Sequence, residues 1–280
     1  MTSDLVLPRV GHIQFLNCLP LYYGLMKNGV LSEIELCKHT PTELCSRLLR
    51  GELDISPVPA IEYARHAEEL LLLPRLTVSS DGKVLSILLV SKVPIGELNG
   101  RPVALANTSA TSQALAKIIL RERYGVEPHY FESPPDVAQM FMEADAALLI
   151  GDDALRVFIK PKNFFVYDLG EEWKLLTGEK MVYALWAVRK AYALQNPEQV
   201  QTVYTAFIHS LEKSLLHIDA AVREVAQWSP FSARFLKKYF RGLKFEFDAD
   251  YQRGYLEFLK RAKKLGAIDA VPHLEFVDVT

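Results

Sequence analysis

Five short stretches of the chain carry side chains that could do chemistry. In Phe15-Leu16-Asn17-Cys18-Leu19-Pro20, Asn17 falls where an apolar run gives way to a proline-started helix. Its amide offers two donors and an acceptor, suited to orienting a hydroxyl or a carboxylate; a helix cap is the equal alternative. Just before it, His12 reads as a packed strand residue and Cys18 as a small apolar filler. Ser86 is the lone hydroxyl in the apolar run Val84–Val90, without the G-x-S-x-G frame of an acyl-enzyme nucleophile. Thr108, Ser109, Thr111 and Ser112 crowd one helix start. Free N–H groups and the helix dipole make such a start an anion site, and four hydroxyls exceed what capping requires. No glycine-rich fingerprint or Walker lysine accompanies them, so a carboxylate fits better than a nucleotide. At Ile150-Gly151-Asp152-Asp153, Gly151 allows close backbone approach to a ligand, and the aspartates suit a helix start better than catalysis. In Gly51–Arg65, Pro57 and Pro59 read as a rigid bend ending a strand, and Glu62 with Arg65 as a surface pair.

Something must hold these residues together. The chain has 280 residues, 50% of them hydrophobic and 24% charged, an ordinary globular composition with length for two domains. A net charge of −2 gives no field to attract nucleic acid. The basic C-terminal positions, such as Arg234, Lys237, Lys238 and Arg241, interleave with apolar ones at helical spacing and read as a solvated face. The three cysteines form no CxxC pair, so neither a disulfide framework nor a zinc site is expected. Neither a metal nor an organic cofactor is expected. The first nine residues lack a basic segment and an apolar one, and no run reaches the roughly 18 apolar residues of a membrane span. The expectation is a cytoplasmic protein with no membrane partner; no oligomeric state follows from the pattern.

Strand-length apolar runs alternate with helical periodicity. Arg9–Leu16, Glu33–Lys38, Leu53–Ser56, Leu70–Val78 and Val84–Ser91 read as strands, the last two joined by a turn at Ser79–Gly82. Between them lie helices at Leu19–Lys27, from Thr40-Pro41 to Gly51, and at Val58–Arg65. A second set follows, with strands at Pro102–Ala106, Glu127–Phe131, Ala144–Ile150, Phe164–Leu169 and Val182–Val188 around helices at Ser109–Arg123, Pro134–Glu143, Gly151 onward and up to Thr177. From Asn196 the chain turns helical. This order predicts an α/β protein of two lobes, mixed sheets flanked by helices. One lobe takes 1–90 with 188–280 and the other 91–187. The strands at Val84–Ser91 and Val182–Arg189 are expected to run between them, with a ligand cleft at the strands' carboxyl ends.

Taken as an ordered set, these stretches resemble the chorismate dehydratase family of the futalosine route to menaquinone. The runs are FLN-x-x-PL at Phe15–Leu21, GELDISPVPAIEYAR at Gly51–Arg65, SILLVSK at Ser86–Lys92, NTSATS at Asn107–Ser112, ALLIGDDAL at Ala147–Leu155, DLGEEW at Asp168–Trp173 and ALWAVR at Ala184–Arg189. The resemblance implies a fold like type II periplasmic binding proteins and a reaction in which chorismate loses water to give 3-[(1-carboxyvinyl)oxy]benzoate. It makes Asn17 and Ser86 the catalytic candidates, with Ser109, Thr111 and Ser112 holding a carboxylate. Ser56, Gly151 and Asp152 join them as substrate-contacting candidates, although the resemblance leads one to expect alanine at position 56. No convincing general base accompanies the motifs, so the substrate's own enolpyruvyl carboxylate is the expected proton acceptor. A related enzyme acting on a cyclic futalosine derivative and a non-enzymatic carboxylate-binding protein are the rival readings.

Overall fold

A computed structural model describes residues 7–27, 32–160 and 163–279; the stretch read for a leader reaches into 1–6, outside the described residues. The chain opens with β1 (Arg9–Ile13), a 3-10 turn at Leu16–Cys18, α1 (Leu19–Lys27), β2 (Glu35–His39), α2 (Pro41–Leu49), β3 (Ile55–Pro59), α3 (Ala60–Arg65) and β4 (Leu70–Ser80). There follow β5 (Ile87–Ser91), β6 (Pro102–Ala106), α4 (Ala110–Tyr124), β7 (His129–Ser133), α5 (Val137–Glu143), β8 (Ala146–Ile150), α6 (Gly151–Ile159), β9 (Phe165–Asp168) and α7 (Leu169–Thr177). The last part holds β10 (Met181–Arg189), α8 (Lys190–Gln195), α9 (Pro197–Leu216), α10 (Ile218–Trp228), α11 (Ala233–Gly242), β11 (Leu243–Lys244) and α12 (Ala249–Lys264).

Local chemistry sets the helix ends. Thr40 and Glu43 form a reciprocal capping box at the start of α2, with proline in its first turn. Ser109 caps α4, and Gly125 closes it in the left-handed conformation. β3, β5 and β8 are buried at every position, as strands covered on both faces must be.

Two mixed sheets result. The six-stranded sheet runs β11-β4-β10-β3-β1-β2, with β1 parallel to β2 and β3, and β10 antiparallel to β3 and β4. The five-stranded sheet runs β7-β6-β8-β5-β9, with β6 parallel to β7 and β8, and β5 antiparallel to β8 and β9. The architecture is α/β, two sheets each flanked by helices. Among the described residues no helix is long and apolar enough to cross a membrane. The basic residues Arg234, Lys238 and Arg241 of α11 are exposed, while Leu236, Tyr239 and Phe240 are buried.

The structure corrects several expectations. The strand expected at Val84–Ser91 neither runs between lobes nor begins at Val84. β5 starts at Ile87 and pairs only within the five-stranded sheet, so Ser86 stands in the irregular crossing 81–86. Leu85 there has φ +63°, which breaks any extended run, and the Asp168 carboxylate takes the Val84 and Leu85 amides away from a ladder. Likewise, β10 pairs along its length with β3 and β4, so the return crossing is made by the residues before Met181. The strand expected to reach Leu16 ends at Ile13, because residues 16–18 wind into a turn. Finally, the strand expected to stop at Ser56 runs on through Pro57, and Pro59 is its last residue and leads directly into α3. The ladder between β3 and β1 is only Val10 opposite Ile55, so the prolines stand where one of β3's two ladders has already ended.

Candidate active site

A narrow cavity lies where the two sheets face each other. It encloses about 420 Å³, of which only about 40 Å³ lies far enough from the walls for the centre of a water molecule. From the six-stranded side it is lined by Phe15, Asn17, Tyr183 and apolar residues that include Ile13 and Val78. From the five-stranded side come Ser86, Ser109, Ser112, Ile150 and Gly151. A wider groove, about 1130 Å³ on the same measure as the 420 Å³, borders α3 and α4, but its Glu62 and Arg65 already pair with each other at 2.6 Å.

The 3-10 turn brings Asn17 to the cavity, and its Oδ1 is buried without a hydrogen-bond partner. Its side chain caps no helix in the structure. Ser86 is buried; its hydroxyl donates to the Val84 carbonyl at a long 3.4 Å and faces the buried Tyr239 phenol, while its own carbonyl accepts the Gly151 N–H at 2.8 Å. The Ser109 and Ser112 hydroxyls lie 3.0 Å apart at the N-terminus of α4. Gly151 has φ +59°, and a Cβ there would sit 2.8 Å from the Phe15 ring, so only glycine lets the two sheets approach.

Three candidates are turned to other tasks. Thr111 is fully buried, and its hydroxyl accepts the Ile61 N–H in the first turn of α3 at 3.1 Å. Ser56 donates to the Pro57 carbonyl at 3.0 Å and fills the space that a side chain on Gly11 would need. Neither lines the cavity. Asp152 accepts the Leu16 N–H at 3.0 Å across the interface, so it holds the turn that carries Asn17. Burial pushes its carboxyl above the usual range, and the Leu16 N–H pulls partly against that shift. His12 stacks on Tyr22 with ring centroids 3.8 Å apart, and burial, helped by Lys38, pushes its imidazole down to about 4.

This arrangement has relatives. The profile of the family described as menaquinone biosynthesis matches residues 8–264. The chain belongs to the menaquinone-biosynthesis family. Among that family's relatives, a chorismate dehydratase from Thermus thermophilus is 30% identical over 233 residues, covering 78% of this chain and 80% of that protein. Solved structures share the fold at lower identity. Protein AF1704 from Archaeoglobus fulgidus superposes with a TM-score of 0.75 at 18% identity, over 95% of this chain and 100% of that one. The periplasmic aliphatic sulphonate binding protein SsuA from Escherichia coli gives 0.64 at 15% identity, over 97% and 95%. The fold of this family member is therefore that of periplasmic binding proteins.

Among the described residues that line the cavity there is no Asp, Glu, His, Cys, Lys or Arg. The N-terminal end of α4, with no acidic residue in its first turn, abuts the cavity at Ser109 and Ser112, and its dipole favours negative charge there, whereas the α6 start at Gly151 carries Asp152 and Asp153. Tyr183, absent from the sequence reading, lines the wall, and its hydroxyl bonds Ser80 at 2.8 Å. Burial drives that phenol far above its ordinary range. Phe15 and Asp168 were also without assigned roles. Asp168 ends a strand just before a Leu-Gly-Glu-Glu helix start, a signal for a helix cap alone.

Proposed function

We propose that this protein is a chorismate dehydratase, converting chorismate to 3-[(1-carboxyvinyl)oxy]benzoate and water. The observation that carries the reading is a cavity with a buried, unpartnered amide oxygen and several hydroxyls, and with no group among its described lining residues able to act as a base near neutral pH. Such a site suits a substrate that brings its own base. Chorismate's enolpyruvyl carboxylate takes the C3 proton and passes it to the departing C4 hydroxyl, which leaves as water. The C3–H electron pair forms the new ring double bond, and aromatisation supplies the driving force. The protein's part is orientation and hydrogen bonding to developing charge. Asn17 and Ser86 act on the reacting centre, while Ser109 and Ser112 with the α4 N-terminus hold a carboxylate without a cation. Asp152 then serves by fixing the turn of Asn17. Two lobes joined at the crossings 81–86 and 178–180 close on the substrate. The location that accompanies this chemistry is the cytoplasm.

Incubation of the purified protein with chorismate tests the reading. Accumulation of an aromatic product lighter by one water is the expected result. Chorismate bound but unchanged would return the chain to the carboxylate-binding proteins of the same fold.

A further inference from the structure

The crossing segment that presents Ser86 is held by a carboxylate to which no role in the reaction has been given. Asp168 is 7% exposed and stands between β9 and α7. Its Oδ1 accepts the N–H groups of Gly170 at 3.0 Å and Glu171 at 3.2 Å, as a helix cap does. A cap needs no more than this. The second oxygen turns away from the helix and accepts the Leu85 N–H at 2.7 Å, and the Val84 N–H lies 3.1 Å from both oxygens.

Leu85 immediately precedes Ser86 and has φ +63°, a conformation that a leucine keeps only when its surroundings impose it. Ser86 itself is aimed weakly by its own hydroxyl, which makes one long hydrogen bond, to Val84, and otherwise faces the buried Tyr239 phenol. The packing supports the same view. A Cβ on Gly170 would lie 2.4 Å from the Gly82 carbonyl and 2.6 Å from the Tyr183 hydroxyl, so the start of α7 is pressed against the crossing. Among ordinary capping residues, only a carboxylate offers acceptors to both the helix and the crossing at this reach.

We infer that Asp168 is a positioning residue: its carboxylate locks Val84 and Leu85 so that the Ser86 hydroxyl points into the cavity. This rests on the reading of Ser86 as a catalytic hydrogen-bonding group. Asp168→Asn separates the two tasks. An asparagine oxygen still caps α7, while its NH₂ faces the Leu85 N–H and cannot accept from it.

The test measures Asp168→Asn alone and with Ser86→Ala, together with peptide-level hydrogen exchange over 82–86. The clamp predicts that kcat falls about tenfold or more while KM stays within about threefold, the size expected for losing a hydrogen bond to a charged group. It also predicts no further loss when Asp168→Asn is added to Ser86→Ala, and faster exchange at 82–86 with α7 still protected. An equal loss in both backgrounds would mean a general structural role and overturn the inference, as would an unchanged kcat. If the wild-type protein leaves chorismate untouched, the function reading fails and exchange alone decides. Faster exchange at 82–86 then upholds the clamp, and unchanged exchange overturns it. Should Asp168→Asn not fold, Asp168→Ser, which can cap α7 but is too short for Leu85, is judged by the same criteria. Failure of both to fold would overturn a role confined to aiming Ser86.

Discussion

Replacing Asn17 with leucine should make the ligand-free protein more stable and the enzyme nearly inert. Its Oδ1 is buried without a partner, and leaving such an acceptor unsatisfied costs about 1–3 kcal/mol. Asn17→Leu removes that cost at similar volume and adds an apolar side chain to a wall that already holds Ile13 and Phe15. No helix cap is lost, because the side chain caps none. At roughly 2–4 °C per kcal/mol for a chain of this size class, Tm should rise by roughly 2–12 °C. If the same oxygen meets the substrate during the reaction, kcat should fall by roughly 10²-fold or more, the usual effect of deleting one preorganised group from a water-poor site. Thermal melting by circular dichroism and steady-state assay of the two proteins measure both effects. A lower Tm would show that Oδ1 is satisfied in the free protein. A kcat within a few-fold of wild type would refute the catalytic role.

Three further outcomes follow from the site. Gly151→Ala forces a left-handed alanine, costing about 1–2 kcal/mol, and overpacks the Phe15 ring, costing about 1–3 kcal/mol more. Melting should show a Tm lower by several degrees, and kcat/KM should fall because Phe15 lies beside the turn of Asn17. Asp152→Asn keeps an oxygen for the Leu16 N–H and should leave kcat within about threefold, whereas Asp152→Leu should lower it by about tenfold through loss of that bond. An equal collapse in both would make the ionised carboxylate the base. His12 takes a proton near its ordinary range when unfolded but only near about 4 when folded, so stability should drop as pH falls from about 6.5 toward 4. In Tm measured against pH, His12→Gln should flatten that slope. The kcat profile of the wild type should show no limb belonging to this imidazole.

Much of the scaffold could be read from the chain because its signals are local. The limits of α1 and β6, the Thr40 start of α2 and the alternation that yields two mixed sheets follow from capping residues and periodicity. The cleft at the strand ends also followed from that alternation. What escaped is tertiary. Val84–Val90 has a strand's composition, yet a carboxylate more than eighty positions away takes its first amides and bends it, so Ser86 leaves the strand. The hydroxyls at the start of α4 look alike in sequence, but Ser109 and Ser112 face the cavity while Thr111 serves α3. Ser56 was diverted by a missing side chain, that of Gly11 on a neighbouring strand. No spacing rule carries these facts, because each depends on which element packs opposite.

The most direct test of the account is a mass spectrum of chorismate after incubation with wild-type protein, with Asn17→Leu and Ser86→Ala in parallel. A cavity that aligns the substrate's own carboxylate with its C3 proton predicts conversion to one product lighter by a single water. Each variant should slow it by roughly 10²-fold or more while remaining folded. Unchanged chorismate with the folded wild-type protein, or full turnover by both variants, would contradict it.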